Sequence, residues 1–191
     1  MASLSNAAPV ATGISLLLLL AVPAGAQRQF SQPKLAQAGA ETLPGGASSL
    51  QETYGSWTVS CRIADGRKLC SHSQVRGNQQ TGQRNFAIEL KPPRDGKTDG
   101  VLVLPFGLAL GAGVKLTLDD KALGQTIPFS TCVPSGCLVP VSFPAAAIAA
   151  IKKAKALSAT ATPAGSSEPA VFTLSLDGFT AAHARITELM K

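Results

Sequence analysis

Residues 54–74 read Y-G-S-W-T-V-S-C-R-I-A-D-G-R-K-L-C-S-H-S-Q and hold the sole Trp, the sole Tyr and two of the four Cys. Two extended runs, residues 56–62 and 68–75, flank Asp65-Gly66. That dipeptide accepts the positive φ of a tight hairpin turn, so the stretch is expected to form a β-hairpin. Cys61 and Cys70 fall near the turn, one on each arm, where strand pairing sets them opposite each other. Trp57, Val59 and Cys61 share one side of the first arm by period-two alternation. A buried Trp brings a large apolar area, so this side is expected to seed a sheet core beside a disulfide staple.

The four Cys require an oxidising compartment if they are to pair, and the N-terminus supplies a route to one. Residues 14–22, I-S-L-L-L-L-L-A-V, form an apolar run followed by Pro23 and by Ala24-Gly25-Ala26, an A-x-A type cleavage site. Residues 1–26 are therefore expected to be a secretory signal peptide cut after Ala26. The run is too short for a good transmembrane helix. It also lacks a basic lead, since the first Lys or Arg is Arg28. No Cys follows the run before Cys61, so lipoprotein processing is not indicated. Residues 27–51, rich in Gln, Ala, Gly, Ser and Pro without an apolar period, are expected to be a disordered linker. One domain, residues 52–191, remains, long enough to bury a proper core.

Beyond the hairpin, residues 84–91 alternate Phe86, Ile88 and Leu90 with polar or small neighbours, the pattern of a half-buried strand. Pro92-Pro93 ends it, and residues 94–100 are expected to be a polar loop. Strands are expected at 101–104, 114–119, 125–131, 138–143, 157–162 and 171–176, with turn signals between them. A short helix is expected over 144–155, with Ile148 and Ile151 on one face, and a closing helix capped by Thr180 and running through Met190. Many short strands with one or two short helices argue for an all-β antiparallel sandwich, with a barrel as the alternative.

Sequence alone permits three pairings of four Cys. The local pairing, Cys61 to Cys70 and Cys132 to Cys137, is expected because each pair brackets a turn. A zinc site fits less well, because C-x8-C departs from the usual knuckle spacing. A redox pair fits less well too, because Cys132 and Cys137 are further apart than in C-x-x-C. His72 and His183 are the only histidines. A serine site can be assembled on paper from either His with Ser73 or Ser135, but no G-x-S-x-G elbow is present. Two isolated histidines ordinarily serve on the surface or in packing. Asp95, Asp99, Asp119 and Asp120 lie at loop edges beside Lys97 and Lys121, as solvated turn residues do. Residues 107–113, G-L-A-L-G-A-G, precede an alternating strand rather than a helix, so they make a turn rather than a phosphate cradle. No catalytic, metal or cofactor residue is expected. The net charge of +6 admits weak contact with an anionic membrane surface, for which Lys152, Lys153 and Lys155 with Arg185 are the candidate patch. One Trp, one Tyr and seven Phe, not interleaved with basic residues, argue against nucleic acid.

Several of these pieces together resemble the invasion-associated locus B family. They are W-T-V-S-C, Cys70 with Gln74 four places on, Leu104-Pro105 before Gly113-Val114, I-P-F-S-T-C-V-P-S-G-C, and the closing S-L-D-G-F-T-A-A. Their order and spacing carry the resemblance over residues 54–189. It implies an immunoglobulin-like β-sandwich exported to the bacterial periplasm or cell envelope, with no enzyme activity, no cofactor and no agreed catalytic residues. The family's paired Cys positions match Cys61, Cys70, Cys132 and Cys137. Some members are linked to host-cell entry, while many belong to bacteria without an invasive habit. The expected role is binding to an unknown protein, another envelope component or a host component. The alternatives are a periplasmic hydrolase using a histidine and a thiol–disulfide factor working through Cys132 and Cys137.

Overall fold

The computed structural model describes residues 41–77 and 84–191. The expected signal peptide, residues 1–26, and residues 27–40 of the expected linker lie outside the described residues. Eleven strands and two helices follow in chain order among those described. β1 (Ser49–Tyr54), β2 (Trp57–Ala64), β3 (Arg67–Gly77), β4 (Arg84–Leu90) and β5 (Lys97–Leu104) form an antiparallel meander. β6 (Lys115–Leu118) and β7 (Lys121–Ala122) make a short hairpin, and β8 (Thr131–Val133) and β9 (Gly136–Pro144) a second one. α1 (Ala145–Ile151), β10 (Ala156–Ala161), β11 (Ala170–Ser175) and α2 (Phe179–Leu189) complete the chain.

The strands form a seven-stranded sheet, β1-β2-β3-β4-β5-β9-β8, and a four-stranded sheet, β11-β10-β6-β7. The molecule is an antiparallel β-sandwich. One face of the larger sheet is buried, and strand register lines its inward side chains up in rows. Val59, His72, Leu90, Gly100 and Val141 form one such row across five strands, and Gln74, Ile88, Leu102 and Val139 form the next. The smaller sheet covers this face with Leu116, Leu157, Ala159 and Leu174, and Phe86 meets Phe172 across the gap at 5.8 Å. α2 lies over β1, β2 and β3, and α1 over β9 and β5, so the helices extend the cover beyond the smaller sheet. Among the described residues, no helix is long and apolar enough to cross a membrane.

The Asp65-Gly66 hairpin forms as expected, with Cys61 directly opposite Cys70. Four other elements differ from the expectation. The linker was expected to reach residue 51, yet β1 starts at Ser49 and Leu43 is only 2% exposed. Alternation in β1 was hidden because its inward positions are Leu50, Glu52 and Tyr54, and the middle one is a carboxylate paired with Arg185. The loop expected at 94–100 becomes strand from Lys97, because the inward residues there are Thr98 and Gly100 rather than large apolar ones. Gly100 is small because a side chain there would strike Leu90, which fills the space. The strand expected at 125–131 shrinks to a bridge between Val114 and Ile127 before β8 begins, since Pro128 has no N–H to offer a ladder.

The closing helix is not capped by Thr180. Its N-cap is Gly178 at φ 82°, and the Thr180 hydroxyl instead donates to the Lys152 carbonyl. A Cβ at residue 178 would lie 1.9 Å from the Tyr54 carbonyl oxygen. Glycine therefore satisfies two demands at once, the left-handed backbone and the close approach of the β1–β2 turn. This fixes where α2 begins, and so where it docks on the large sheet.

The structure joins Cys61 to Cys70 and Cys132 to Cys137, with sequence separations of 9 and 5. Each bridge closes a short loop and limits the unfolded chain, by about 2–3 kcal/mol in the chain-entropy account. The first loop is longer and its hairpin carries Trp57. Cys61→Ala is therefore expected to lower the urea midpoint more than Cys132→Ala. The opposite ranking would remove the Trp hairpin from the centre of the fold. Non-reduced peptide mapping is expected to recover both local pairs with no free thiol.

Candidate functional site

The pieces of sequence singled out above meet at one place, where α2 and the end of β11 press on β2 and β3. Trp57 is fully enclosed, and its Nε1 donates to the Ser175 carbonyl at 3.0 Å. Gln74 faces the same carbonyl. Its Nε2 donates to it at 2.8 Å, while its Oε1 accepts from the Ser175 N–H at 3.0 Å. The Gln74 side chain thus behaves as one more peptide unit against the end of β11, joining the two sheets. Phe179 packs edge-on to Trp57 with centroids 5.0 Å apart.

The two histidines complete this knot. His72 lies in β3 opposite Val59 with no exposure, and its ring is 5.6 Å from Trp57, 5.7 Å from Phe179 and 5.4 Å from His183. Neither of its ring nitrogens has a hydrogen-bond partner. His183 stacks on Phe179 at 5.5 Å, is 6% exposed, and leaves its Nδ1 without a partner. Burial drives the His72 pKa down to about 3, the neighbouring His183 adds to the effect, and the Leu90 backbone beside the ring opposes it in part. Burial brings His183 down to about 4, helped by the positive charge of Lys152. Both rings are therefore neutral at pH 7.

Around the knot, α2 is tied to β1 by charge. Arg185 donates from Nε and Nη2 to both Glu52 oxygens at 2.7 and 2.9 Å, and from Nη1 to Glu188 at 3.0 Å. The Tyr54 hydroxyl donates to the same Glu52 at 2.8 Å. The Arg185 hydrogen bond holds the Glu52 carboxyl below the usual carboxylate range. This bidentate pairing removes Arg185 from the lysine patch proposed from the sequence, which reduces to Lys152, Lys153 and Lys155.

The other residues considered for chemistry do not gather. Ser73 follows His72 in β3 and so points to the opposite face of the sheet. Ser135 sits exposed in the β8–β9 turn at the far edge of the large sheet. Asp119 caps a turn, accepting from the Lys155 and Ala156 N–H groups, and Asp99 accepts from Ser142 and lies 3.8 Å from Lys97. Residues 107–113 form a turn with a short 3-10 segment, Leu110–Ala112. Cys132 is exposed on β8, while Cys137 is 2% exposed. No group of three or more metal-binding side chains occurs among the described residues.

Leu104 and the second Cys pair also meet: Leu104 lies opposite Cys137, and a Cβ at Gly136 would lie 2.4 Å from the Leu104 carbonyl oxygen. The residues singled out in the sequence thus mark places where distant segments touch. Two disulfide-bridged hairpins, an amide clamp between two sheets and a helix docked on paired imidazoles define a class of β-sandwich in which the distinctive side chains serve assembly. The chain belongs to the invasion associated locus B (IalB) family, whose sequence model matches residues 57–187. It is 49% identical over 152 residues to the Invasion protein B homologue of Brucella abortus strain 2308, covering 80% of this chain and 87% of that one. It is 34% identical over 174 residues to Invasion protein B of Bartonella bacilliformis, covering 90% and 93%. Among solved structures, that of invasion associated protein B from Bartonella henselae superposes with a TM-score of 0.68 at 32% identity, covering 73% of this chain and 96% of that one.

Proposed function

We propose that the protein is exported to the cell envelope and acts without catalysis, by binding another envelope component or a host component during host-cell invasion. One observation carries the non-catalytic part: the only two histidines are enclosed against aromatic rings, with no carboxylate or serine at their nitrogens among the described residues. A general base needs hydrogen-bond reach to a substrate proton: His72 lacks it, and the cavity that His183 borders is lined by no serine, cysteine or carboxylate. Two local disulfides suit an oxidising compartment. The relatives named as invasion proteins support a role in invasion.

Crosslinking in intact envelopes followed by purification is the test. A discrete crosslinked partner on a mature chain beginning at Gln27 is the expected result, together with no labelling by a fluorophosphonate serine probe. Labelling that disappears in His72→Ala would replace this reading with a hydrolase. Ready reduction of Cys132–Cys137 by a mild dithiol would favour a thiol–disulfide role instead, because structural bridges resist reduction.

A further inference from the structure

His183 has two neighbourhoods. One side of its ring meets His72 and Phe179 in the core. The residue also lines a cavity of about 300 Å³ between α1, the start of β5 and α2. The remaining wall divides by chemistry. Pro93 and Ile148 supply apolar surface, while Thr98, Lys97 and Lys152 supply polar groups. Thr98 is 1% exposed and His183 is 6% exposed, so two of the polar side chains are built into the fold rather than draped over it. Lys97 lies 3.8 Å from Asp99, whereas Lys152 has no ion-pair partner among the described residues.

We infer that this cavity binds a short aliphatic monocarboxylate, its head between Lys152 and His183 and its chain against Ile148 and Pro93. Three features select that class. The charge at the polar end is positive and unopposed at Lys152, which excludes a cationic ligand and favours an anion. The apolar wall gains nothing from a bare inorganic ion but removes a hydrocarbon chain from water. The volume, at about 30 Å³ for each water-sized group, admits on the order of eight to ten non-hydrogen atoms, the size of hexanoate. Sites of this kind pair an apolar lining with a few placed polar groups.

The electrostatics agree. His183 has His72 from β3 and Phe179 from α2 on its core side and Lys152 from α1 on its cavity side; Lys97 from β5 lines the same cavity, and no acidic side chain does. Burial and Lys152 depress its pKa to about 4, so it meets the ligand as a neutral imidazole at pH 7. A bound carboxylate offsets the Lys152 charge and favours the imidazolium. By linkage, occupancy must then raise the His183 pKa.

The test is an NMR titration of the purified protein with sodium hexanoate at pH 7, following the His183 ring and the Ile148 δ1 methyl. Saturable shifts at both positions are expected, with the His183 titration moving to higher pH when hexanoate is bound. Lys152→Gln, a change at an exposed position that leaves the core untouched, is expected to weaken binding about tenfold by loss of a charge-assisted contact. The Ile148 methyl reports this variant independently of any change at His183. 1-Hexanol and inorganic phosphate are the controls, and both are expected to bind far more weakly. Hexanol binding as tightly as hexanoate would overturn the carboxylate assignment. Phosphate matching hexanoate would overturn the chain assignment. No shift at Ile148, or a Lys152→Gln protein that binds as before, would overturn the site.

Discussion

Trp57→Ala is expected to lower unfolding free energy by about 4–5 kcal/mol, the upper end of the range for deleting a buried aromatic ring. The ring is wholly enclosed and lies within 6 Å, centroid to centroid, of both Phe179 and His72. Removing it leaves a cavity that β2 cannot collapse to fill, because β2 is held by β1 on one side and by β3 on the other. The Ser175 carbonyl would keep its bond from Gln74, so the loss is chiefly packing. Trp57→Phe separates the terms. It retains an aromatic ring against Phe179 and gives up the Nε1 hydrogen bond, for an expected loss of about 2 kcal/mol. Urea unfolding followed by far-UV circular dichroism measures both, since the variants have no Trp left to fluoresce. With domain stabilities of about 5–15 kcal/mol, the alanine variant would sit near the threshold of folding. A loss under about 2 kcal/mol for Trp57→Ala would show that the two sheets and α2 are held together elsewhere.

What was legible in the sequence was local. Asp65-Gly66 between alternating arms announces the β2–β3 hairpin, and Phe86, Ile88 and Leu90 announce β4, because period two is visible when inward residues are apolar. It disappears when an inward position is polar and satisfied from afar. Glu52 hides β1 because its partner Arg185 lies 133 residues away, and Thr98 and Gly100 hide the start of β5. The knot at Trp57 is also a long-range object. Its bonds to Ser175 span 118 residues from Trp57 and 101 from Gln74. Nothing in the local pattern says that a Gln side chain will stand in for a peptide unit, or that two histidines far apart in sequence will face each other. The spacing of S-L-D-G-F carried the only trace: Ser175 accepts from Trp57, Gly178 admits the Tyr54 carbonyl, and Phe179 stacks on His183. The candidate patch loses Arg185 for the same reason, since the partner of that guanidinium is a glutamate 133 residues away.

Acid is expected to loosen α2 from the sheet, and the sign follows from the two buried imidazoles. Folded, His72 and His183 have pKa values of about 3 and about 4; unfolded, each returns to about 6.5. Between those values the unfolded chain binds more protons than the folded one, so stability falls as pH falls. Their contribution is complete above pH 6.5 and is lost progressively as pH drops from 6.5 toward 4 and below. The His72 shift alone corresponds to on the order of 5 kcal/mol over the whole range, and His183 adds to it. The side chains facing the pair are Trp57, Phe179, Lys152 and Lys97, none of which can neutralise an imidazolium, and the Leu90 backbone beside His72 offsets only part of the cost of charging it. Glu52, held low by Arg185, contributes in the same direction but only as its own carboxyl protonates, below the usual carboxylate value of 4.5. The two sources therefore separate on the pH axis. The urea midpoint of the native sequence is expected to be flat from pH 8 to 6.5 and to fall steadily from 6.5 to 4.5. His72→Phe keeps a ring between Trp57 and Phe179 and removes one proton site, so its profile is expected to flatten by about half in that interval. His183→Phe is expected to remove most of the remainder. An unchanged slope between pH 6.5 and 4.5 in the His72→Phe protein would mean that acid acts through other groups, and that the paired imidazoles hold α2 by packing alone.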